Sequence, residues 1–537
     1  MSNKYKPDEL IDTINYKIPY KQWMEVPVEL KKGNYNNAAV PKSIEYLGEP
    51  NPRVWQPRDE DWKLPENWKE IILEGLRERL EKFRSLKIFM DICVRCGACA
   101  DKCHFFLGSG DPKNMPVLRA ELLRSVYRKD FTTAGKILGK FAGARELTFD
   151  VLKEWFYYFY QCTQCRRCSV FCPYGIDTAE ITFLTRELMN LIGVNIDWVM
   201  TPVANSYRTG NHLGIQPHGV KDSLEMAVAD IEEITGIEID LPVNRKGVDI
   251  LFVVPSADYF ASPHYFTLLG YMMLFHEIGL SYTFSTYASE GGNFGSFVSH
   301  SLMKRLNNKI YAEAKRLGVK WIIGGECGHM WRVLHQYMDT MNGPADFLQV
   351  PVSPITGTVF ENAKSTKMVH ISEFTADLIK HNKIKLDKSR NDHWHATFHD
   401  SCNPARGMGL LEEPRYILRN VMNKFTEMPD NTIREQTFCC GSGAGLGTEE
   451  NLEARMRGGL PRGNATRYVV ENYGVNILLC MCAIDKATLP AVMEYWIPGG
   501  CEVGGVHEMV GNALVMTGEK ERVTDLRLEP LLGKEEI

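Results

Sequence analysis

Apolar residues recur at three- and four-residue steps across residues 65–89, placing Trp68, Ile71, Ile72, Leu73, Leu76, Leu80 and Phe83 on one side. That period predicts a helix. Residues 117–129, 149–160 and 178–192 repeat it, so the stretch they span reads as helical throughout. Beyond a polar connection at 205–246 the pattern changes. Residues 248–254 read as a buried strand, apolar but for Asp249, 263–278 and 297–317 are helical, and Trp321-Ile322-Ile323 is a second strand. The series then returns, with a strand at 394–399, helices at 414–422 and 449–473, and a strand at 475–479. Strands alternating with helices of this length predict parallel α/β modules. The expected fold class is α + α/β: an extended arm at 1–65, an all-helical domain at 66–205, two pseudo-repeated α/β modules at 246–385 and 386–515, and a tail at 516–537.

The helical domain holds two copies of one cysteine spacing. Cys93, Cys96, Cys99 and Cys103 form the first; Cys162, Cys165, Cys168 and Cys172 form the second, with Pro173 after the last. Three thiolates at two-residue gaps wrap one face of a cubane, and the fourth reaches the neighbouring cluster. One cubane [4Fe–4S] cluster is thus expected on Cys93, Cys96, Cys99 and Cys172, and a second on Cys162, Cys165, Cys168 and Cys103. This makes the domain an all-helical two-cluster ferredoxin that passes single electrons. Two zinc sites are the alternative use of these thiols. Phe105, Phe106, Phe156, Tyr157, Tyr160 and Phe171 are suited to keeping water off the clusters, a role compatible with being plain core.

A third group of cysteines lies between Asp400 and Asp485: Cys402, the adjacent pair Cys439 and Cys440, then Cys480 and Cys482. Neighbouring cysteines point in different directions and pack poorly as a core pair, whereas a polynuclear metal centre takes thiolates from both sides of a turn. The glycine run that follows, with Gly441, Gly443, Gly445 and Gly447, lets backbone approach a bulky cluster and donate N–H groups to its sulfides. An iron–sulfur site is expected here; a structural zinc is the alternative. Laid beside this module, the preceding one has Pro255-Ser256 at its first strand end, Gly291-Gly292-Asn293 in place of Cys439-Cys440-Gly441, and Gly325-Glu326-Cys327 in place of Cys480-Met481-Cys482. It reads as the same module stripped of every ligand but Cys327. Cys327 is then a substrate-facing or additional ligand thiol, or else a small buried hydrophobe. His399, Asp400, Arg406, Arg434 and Lys486 are polar groups suited to stabilising thiolates or, singly, to ordinary hydrogen bonding. His393, His395 and His399 alternate with no cysteine or carboxylate in their register, which argues against a metal there. Cys501 stands alone and reads as structural. No dinucleotide fingerprint accompanies the glycine run, so hydride chemistry would belong to another subunit.

Composition narrows the partners. The chain has 537 residues and a net charge of −5, and offers no broad cationic field for nucleic acid. Its start lacks an apolar signal region, and no window approaches the ~18 uninterrupted apolar residues of a membrane span. A cytoplasmic chain without a transmembrane segment of its own is expected, one free to dock on a membrane protein. Fifteen cysteines, odd in number and grouped at two-residue gaps, favour ligation over disulfides. Trp23, Trp55 and Trp62 favour docking of the N-terminal arm over a loose tail, because exposed tryptophan is costly to leave wet.

The run Cys402-x36-Cys439-Cys440-Gly441-x38-Cys480-x-Cys482 resembles the cysteine-rich CCG domain. That domain is found in heterodisulfide reductase catalytic subunits and in iron–sulfur subunits of enzymes that oxidise glycerol-3-phosphate, lactate and glycolate. With the duplicated ferredoxin motif in front, one intact copy and a long arm, the chain is most similar to the K subunits of DsrMKJOP membrane complexes of sulfur-metabolising prokaryotes. The resemblance covers roughly residues 66–515, and departs from the wider family in having one residue, Met481, between the last two cysteines. It implies a noncubane [4Fe–4S] cluster that works on sulfur–sulfur bonds, held by Cys402, Cys439, Cys440, Cys480 and Cys482. Cys439, Cys440, His399 and Cys327 are the catalytic candidates, with Gly441, Gly443 and Arg406 beside the cofactor. It further implies attachment to the cytoplasmic membrane through a cytochrome b-type subunit and other complex subunits. The substrate would be a disulfide or trisulfide on a small sulfur-carrier protein with redox cysteines, similar to DsrC. A heterodisulfide reductase for coenzymes M and B is one rival reading. An electron relay beside a flavin dehydrogenase of 2-hydroxy acids or glycerol-3-phosphate is another. Splitting a disulfide takes two electrons and yields two thiolates, and an iron with an open coordination site holds one leaving sulfur while the other is protonated.

Overall fold

The computed structural model describes residues 62–195, 197–290, 293–342, 345–447, 452–520 and 525–527. The expected arm, apart from its last four residues, lies outside the described residues, as do most of the tail and the Gly291-Gly292 pair. The chain divides into two units. The first takes the described residues up to Met200 together with 296–300 and 429–465; the second takes 201–295, 301–428 and the remainder from Thr466.

Among its described residues the first unit contains helices and turns but no strand. Its main helices are α1 (Trp68–Lys82), α2 (Pro116–Phe131), α3 (Phe149–Phe159) and α4 (Thr178–Leu191). Their starts are encoded locally. Pro116 opens α2 without a missing donor, the Thr148 hydroxyl accepts from Val151 N–H ahead of α3, and the Asp177 carboxylate accepts from Ala179 N–H ahead of α4. Packing is dense where these helices meet: Trp155 on α3 is fully buried and its indole N–H donates to Leu122 O of α2 at 3.1 Å. The cysteine loops emerge from this rigid frame.

The second unit is α/β. Strands β1 (Ile250–Val253), β2 (Tyr282–Thr283), β3 (Trp321–Gly324) and β4 (Met368–His370) form a parallel sheet in the order β2-β1-β3-β4. Strands β5 (Ala396–His399), β6 (Ile477–Cys480) and β7 (Glu502–Gly505) form a second parallel sheet in that order. An isolated parallel bridge joins Ala396 to Phe425, so a parallel neighbour flanks β5 as β2 flanks β1. Buried on both faces, the central strands read as unbroken apolar runs. The helices of the unit include α5 (His264–Glu277), α6 (Gly328–Asn342) and α7 (Ile371–Lys380). α8 (Leu452–Tyr473) enters the unit from the first, followed by α9 (Ala483–Trp496) and α10 (Val506–Ala513). α5 and α10 cross through glycine: a Cβ on Gly270 would stand 1.9 Å from His507 O, and one on Gly511 would stand 2.8 Å from Gly270 Cα. Gly318 and Gly474, each at φ 71°, end the helices that lead into β3 and β6, and a side chain there would meet nothing within 4 Å.

Parallel strands deliver their C-terminal ends to a common edge, where open α/β sheets assemble sites. Ser256 and Asp258 follow β1, Glu326 and Cys327 follow β3, Asp400 and Cys402 follow β5, Cys480 ends β6, and His507 follows β7. No helix among the described residues is long and apolar enough to cross a membrane.

Candidate functional site

In the first unit the two cysteine loops follow the same backbone path. Arg95 before Cys96 and Gln164 before Cys165 are left-handed (φ 58° and 54°), and so are Gly97 and Arg166 after them (φ 79° and 61°). Three of these four are not glycine, and each such residue costs of order 1–2 kcal/mol. A conformation repeated twice against its own cost curls each loop around a common centre. A cavity lined by Cys93, Cys96, Cys99 and Cys172 marks the first centre, with Cys168 also on its wall. Burial pushes the Cys99 thiol up to about 12, with Cys172 and Cys93 adding to it. Burial likewise raises Cys168, with Cys99, Cys162 and Cys103 next to it in effect. Thiols such as Cys99 and Cys168, crowded together and driven toward neutrality, are poorly placed for catalysis alone. Burial also works against the Cys103 thiolate, but Arg119 and His104 outweigh it and hold its pKa down. A cationic iron core is what ionises such a cage. The donor set therefore fits [4Fe–4S] clusters. Arg119, buried beside it, sets its Nη1 4.0 Å from Cys103 Sγ. Burial works against this cation, and the thiolates of Cys103, Cys162 and Cys168 outweigh it and raise its pKa. Phe105, Phe106, Phe156 and Tyr160 are buried, whereas Tyr157 and Phe171 are partly exposed.

The double cysteine belongs to this same unit. Cys439 Sγ lies 3.3 Å from Thr163 Oγ1, and His104 Nε2 lies 2.8 Å from that oxygen. A ring nitrogen of His104 and the thiols of Cys165 and Cys439 all fall within 4.8 Å of one another. Three fully buried arginines hold the turn in place. Arg167 donates to Gln436 O at 2.8 Å and to Lys102 O at 3.1 Å, and stacks 3.8 Å over Phe438. Arg462 donates to Thr437 Oγ1 at 2.6 Å and Thr432 O at 2.7 Å. Arg186 donates to Cys162 O and to Ala444 O, both at 2.9 Å, tying a cysteine loop to the glycine run. Gly441, at φ 95°, is required by a helix: its Cβ would stand 2.7 Å from Arg455 O and from Gly459 N of α8. Gly443 accepts from Leu446 N–H within the same turn. His104 and the three arginines escaped the reading of the sequence. Arginine inside a turn-rich cysteine segment carries no pattern that separates it from surface charge.

The second unit holds Cys402, Cys480, Cys482 and Cys327. Cys480 faces His399 across the β5–β6 ladder and Gly505 across β6–β7. Burial, then the Asp485 carboxylate, raise its pKa well above the ordinary thiol value. Cys482 stands at the N-terminus of α9 and accepts from Gly328 N–H at 3.2 Å. A hydrogen bond with Cys327 is the largest cause of its raised pKa, followed by burial. Cys327 is buried and thus partners the last cysteine of the group. Cys402 opens a π-helical turn, Asn403–Gly407, that contains Arg406. A Cβ on Gly328 would stand 2.6 Å from Pro404 of this turn. Asp400 is fully buried in a two-pronged pair with Arg415 at 2.7 and 2.6 Å. His399 Nε2 lies 3.4 Å from Asp485, which also accepts from Ser401 at 2.6 Å. The three alternating histidines share no partner: His393 meets Asp525 and His395 meets Thr426. Lys486 is fully buried, 3.0 Å from Thr267 Oγ1 and 3.3 Å from Glu326 Oε2. Arg434 is left-handed in the turn before Phe438, and the Cys501 thiol lies 3.6 Å from Glu502 O.

Comparison with known proteins agrees with this chemistry. Residues 89–176 match the 4Fe-4S dicluster domain family, and residues 396–474 match the Cysteine-rich domain family, CCG. The chain is therefore an iron–sulfur protein of the ferredoxin-plus-CCG class, and it carries 4Fe–4S clusters. It is 53% identical to the Hdr-like menaquinol oxidoreductase iron–sulfur subunit of Archaeoglobus profundus, over 98% of this chain and 99% of that protein. The second such iron–sulfur subunit of Archaeoglobus fulgidus is 53% identical over 98% of this chain and its whole length. A subunit of the dihydromethanophenazine:CoB–CoM heterodisulfide reductase of Methanosarcina mazei is 26% identical, over 66% of this chain and 79% of that one. The chain belongs to the Hdr-like menaquinol oxidoreductase iron–sulfur subunits, and is an oxidoreductase subunit of the heterodisulfide-reductase-like kind. No solved structure matches it.

Proposed function

We propose that this chain cleaves a sulfur–sulfur bond with electrons drawn from quinol by a membrane partner. Two cubanes, on Cys93, Cys96, Cys99 and Cys172 and on Cys162, Cys165, Cys168 and Cys103, supply electron transfer, and a noncubane cluster on Cys402, Cys439, Cys440, Cys480 and Cys482 supplies the site of cleavage. The observation that carries the reading is the approach of Cys439 to Cys165 and His104 within 4.8 Å. A thiol of the double cysteine next to a ligand of the second cubane leaves no need for a further carrier. The Thr163 hydroxyl bridges Cys439 and His104.

The chain's own groups have separable tasks. Arg167, Arg186 and Arg462 fix the double-cysteine turn. Cys327 and Gly328 N–H hold the sulfur of Cys482. His399, oriented by Asp485, is placed to protonate a leaving thiolate. Asp400, locked by Arg415, serves architecture. The reading of two pseudo-repeated modules, the first degenerate, is supported by the matching strand order around β1–β3 and β5–β6. A disulfide or trisulfide on a small sulfur-carrier protein is the proposed substrate, and a cytochrome b-type membrane subunit the electron partner. The likeness to a heterodisulfide reductase favours a low-mass heterodisulfide as the second reading.

Iron, acid-labile sulfide and zinc on anaerobically purified protein test this first. About twelve iron and no zinc per chain supports three four-iron clusters, while about eight iron with one zinc ends the disulfide reading. Cys440→Ala should then abolish turnover of disulfide with a chemical reductant. Retained turnover would overturn the assignment.

A further inference from the structure

In the second unit the end of β1, which the sequence pairs with the Cys402 position, is occupied by ionisable groups instead of a cysteine. Ser256 Oγ and N–H both donate to the Glu290 carboxylate at 2.7 Å, and the His212 ring also meets Glu290. Glu290 is buried, whereas the His212 side chain remains 25% exposed. Two residues after Ser256, in the same 3-10 turn, stands Asp258, fully buried. Its two oxygens lie without a hydrogen-bond partner, and Lys486 Nζ at 3.7 Å is too far to provide one. His264 Nδ1 nearby is equally buried and unpartnered. Beyond Asp258 the series continues through Lys486 to Glu326, which meets His507 Nδ1 at 2.7 Å, and the charges of Lys486 and Glu326 both act on Cys480.

We propose that this series is a proton relay: protons enter at His212, pass by the Ser256 hydroxyl, 2.9 Å from the His212 ring, to Asp258 through buried water, and reach the thiol edge beside Lys486 and Glu326. The Glu290 carboxylate stays ionised and orients His212 and Ser256. Orphaned buried oxygens and a ring nitrogen at one place are the signature of internal water. Asp258 also has the right proton affinity for a relay. Burial first, then Glu326 and Glu290, lift it against Lys486 to about 8. The remaining groups that face it are the phenols of Tyr259 and Tyr271 and the imidazole of His264. The relay rests on the disulfide reading. When RS–SR′ is cleaved, each sulfur takes one electron and one proton. The electrons originate in the quinol, which is oxidised; His399 protonates one thiolate and the relay supplies the proton to the other.

The test uses the iron-loaded full chain with dithionite and a disulfide substrate. Asp258→Asn and His212→Ala should each lower turnover about tenfold or more while the rate of cluster reduction stays unchanged. Imidazole should restore His212→Ala, an effect a structural role would not give. Redox-difference infrared spectra should show a carboxylic-acid C=O band that Asp258→Asn lacks. Should Asp258→Asn lose its iron, the imidazole response of His212→Ala decides alone. Wild-type turnover rates and solvent isotope effect in both variants, or no imidazole rescue, overturn the relay. An inactive wild type overturns the disulfide reading instead.

Discussion

Arg186 satisfies four main-chain carbonyls at once, those of Phe159, Tyr160, Cys162 and Ala444. Its replacement by Met would leave buried acceptors unpaired, at roughly 1–3 kcal/mol each. Arg186→Met is therefore expected to lose iron held by the Cys162 loop, read as a drop in iron per chain and in iron–sulfur absorbance. Gly441→Ala sets a methyl 2.7 Å from the α8 backbone at φ 95°. Strain and overpacking together should cost about 2–4 kcal/mol, seen as a lower melting temperature. A pH effect follows from Glu187. Burial raises its carboxyl, but the hydrogen bond and charge of His300, then Arg79, hold it down at about 2. Because the folded value lies below the unfolded ~4.3, its stabilisation is complete above that pH. It is lost progressively as pH falls from there toward 2. Glu187→Gln should flatten the acid limb of the stability curve over that window.

At the level of elements, the crossing of α5 and α10 fixes His507 against Glu326. Gly270→Val is expected to drive the helices apart and to speed amide hydrogen exchange in α10, with a loss of several kcal/mol. These elements also show how much the sequence reveals. The helices expected at 117–129, 149–160, 178–192, 263–278, 297–317, 414–422 and 449–473 and strands β1, β3, β5 and β6 fall within a few residues of their expected places, because each combines a clear period or apolar run with a turn signal. The stretch read as a polar connection instead holds a 19-residue helix, Pro217–Thr235, whose polar face hides its apolar stripe. α6 and α9 go unforeseen, and the helix expected at 65–89 breaks at Phe83. β2, β4 and β7 escape notice. β2 and β4 span two and three residues, too few for a period, and β7, as long as β1, carries a single apolar side chain, Val503, in Glu502-Val503-Gly504-Gly505. The cysteine spacings announce iron–sulfur chemistry directly. The buried arginines and His104 do not, because their partners are mostly main-chain oxygens far along the chain.

For the whole molecule, the cysteines of the CCG motif are divided between two units: Cys439 and Cys440 belong with the ferredoxin helices, and Cys402, Cys480 and Cys482 with the sheets. Iron removal should lower the midpoint of unfolding, because bound clusters stabilise the folded state alone. Calorimetry of the apo and iron-loaded chains checks this, with the higher melting temperature expected in the iron-loaded chain.

The glycine turns at Gly318 and Gly474 have a use outside the reaction. They sit at the entrances to β3 and β6, a strand's length from the thiols, with open space where a side chain would be. Short sequences inserted there would decorate the molecule at its chemically silent rim. An affinity tag or a fluorophore could thus be carried through anaerobic purification and imaging without blocking access to the cysteines.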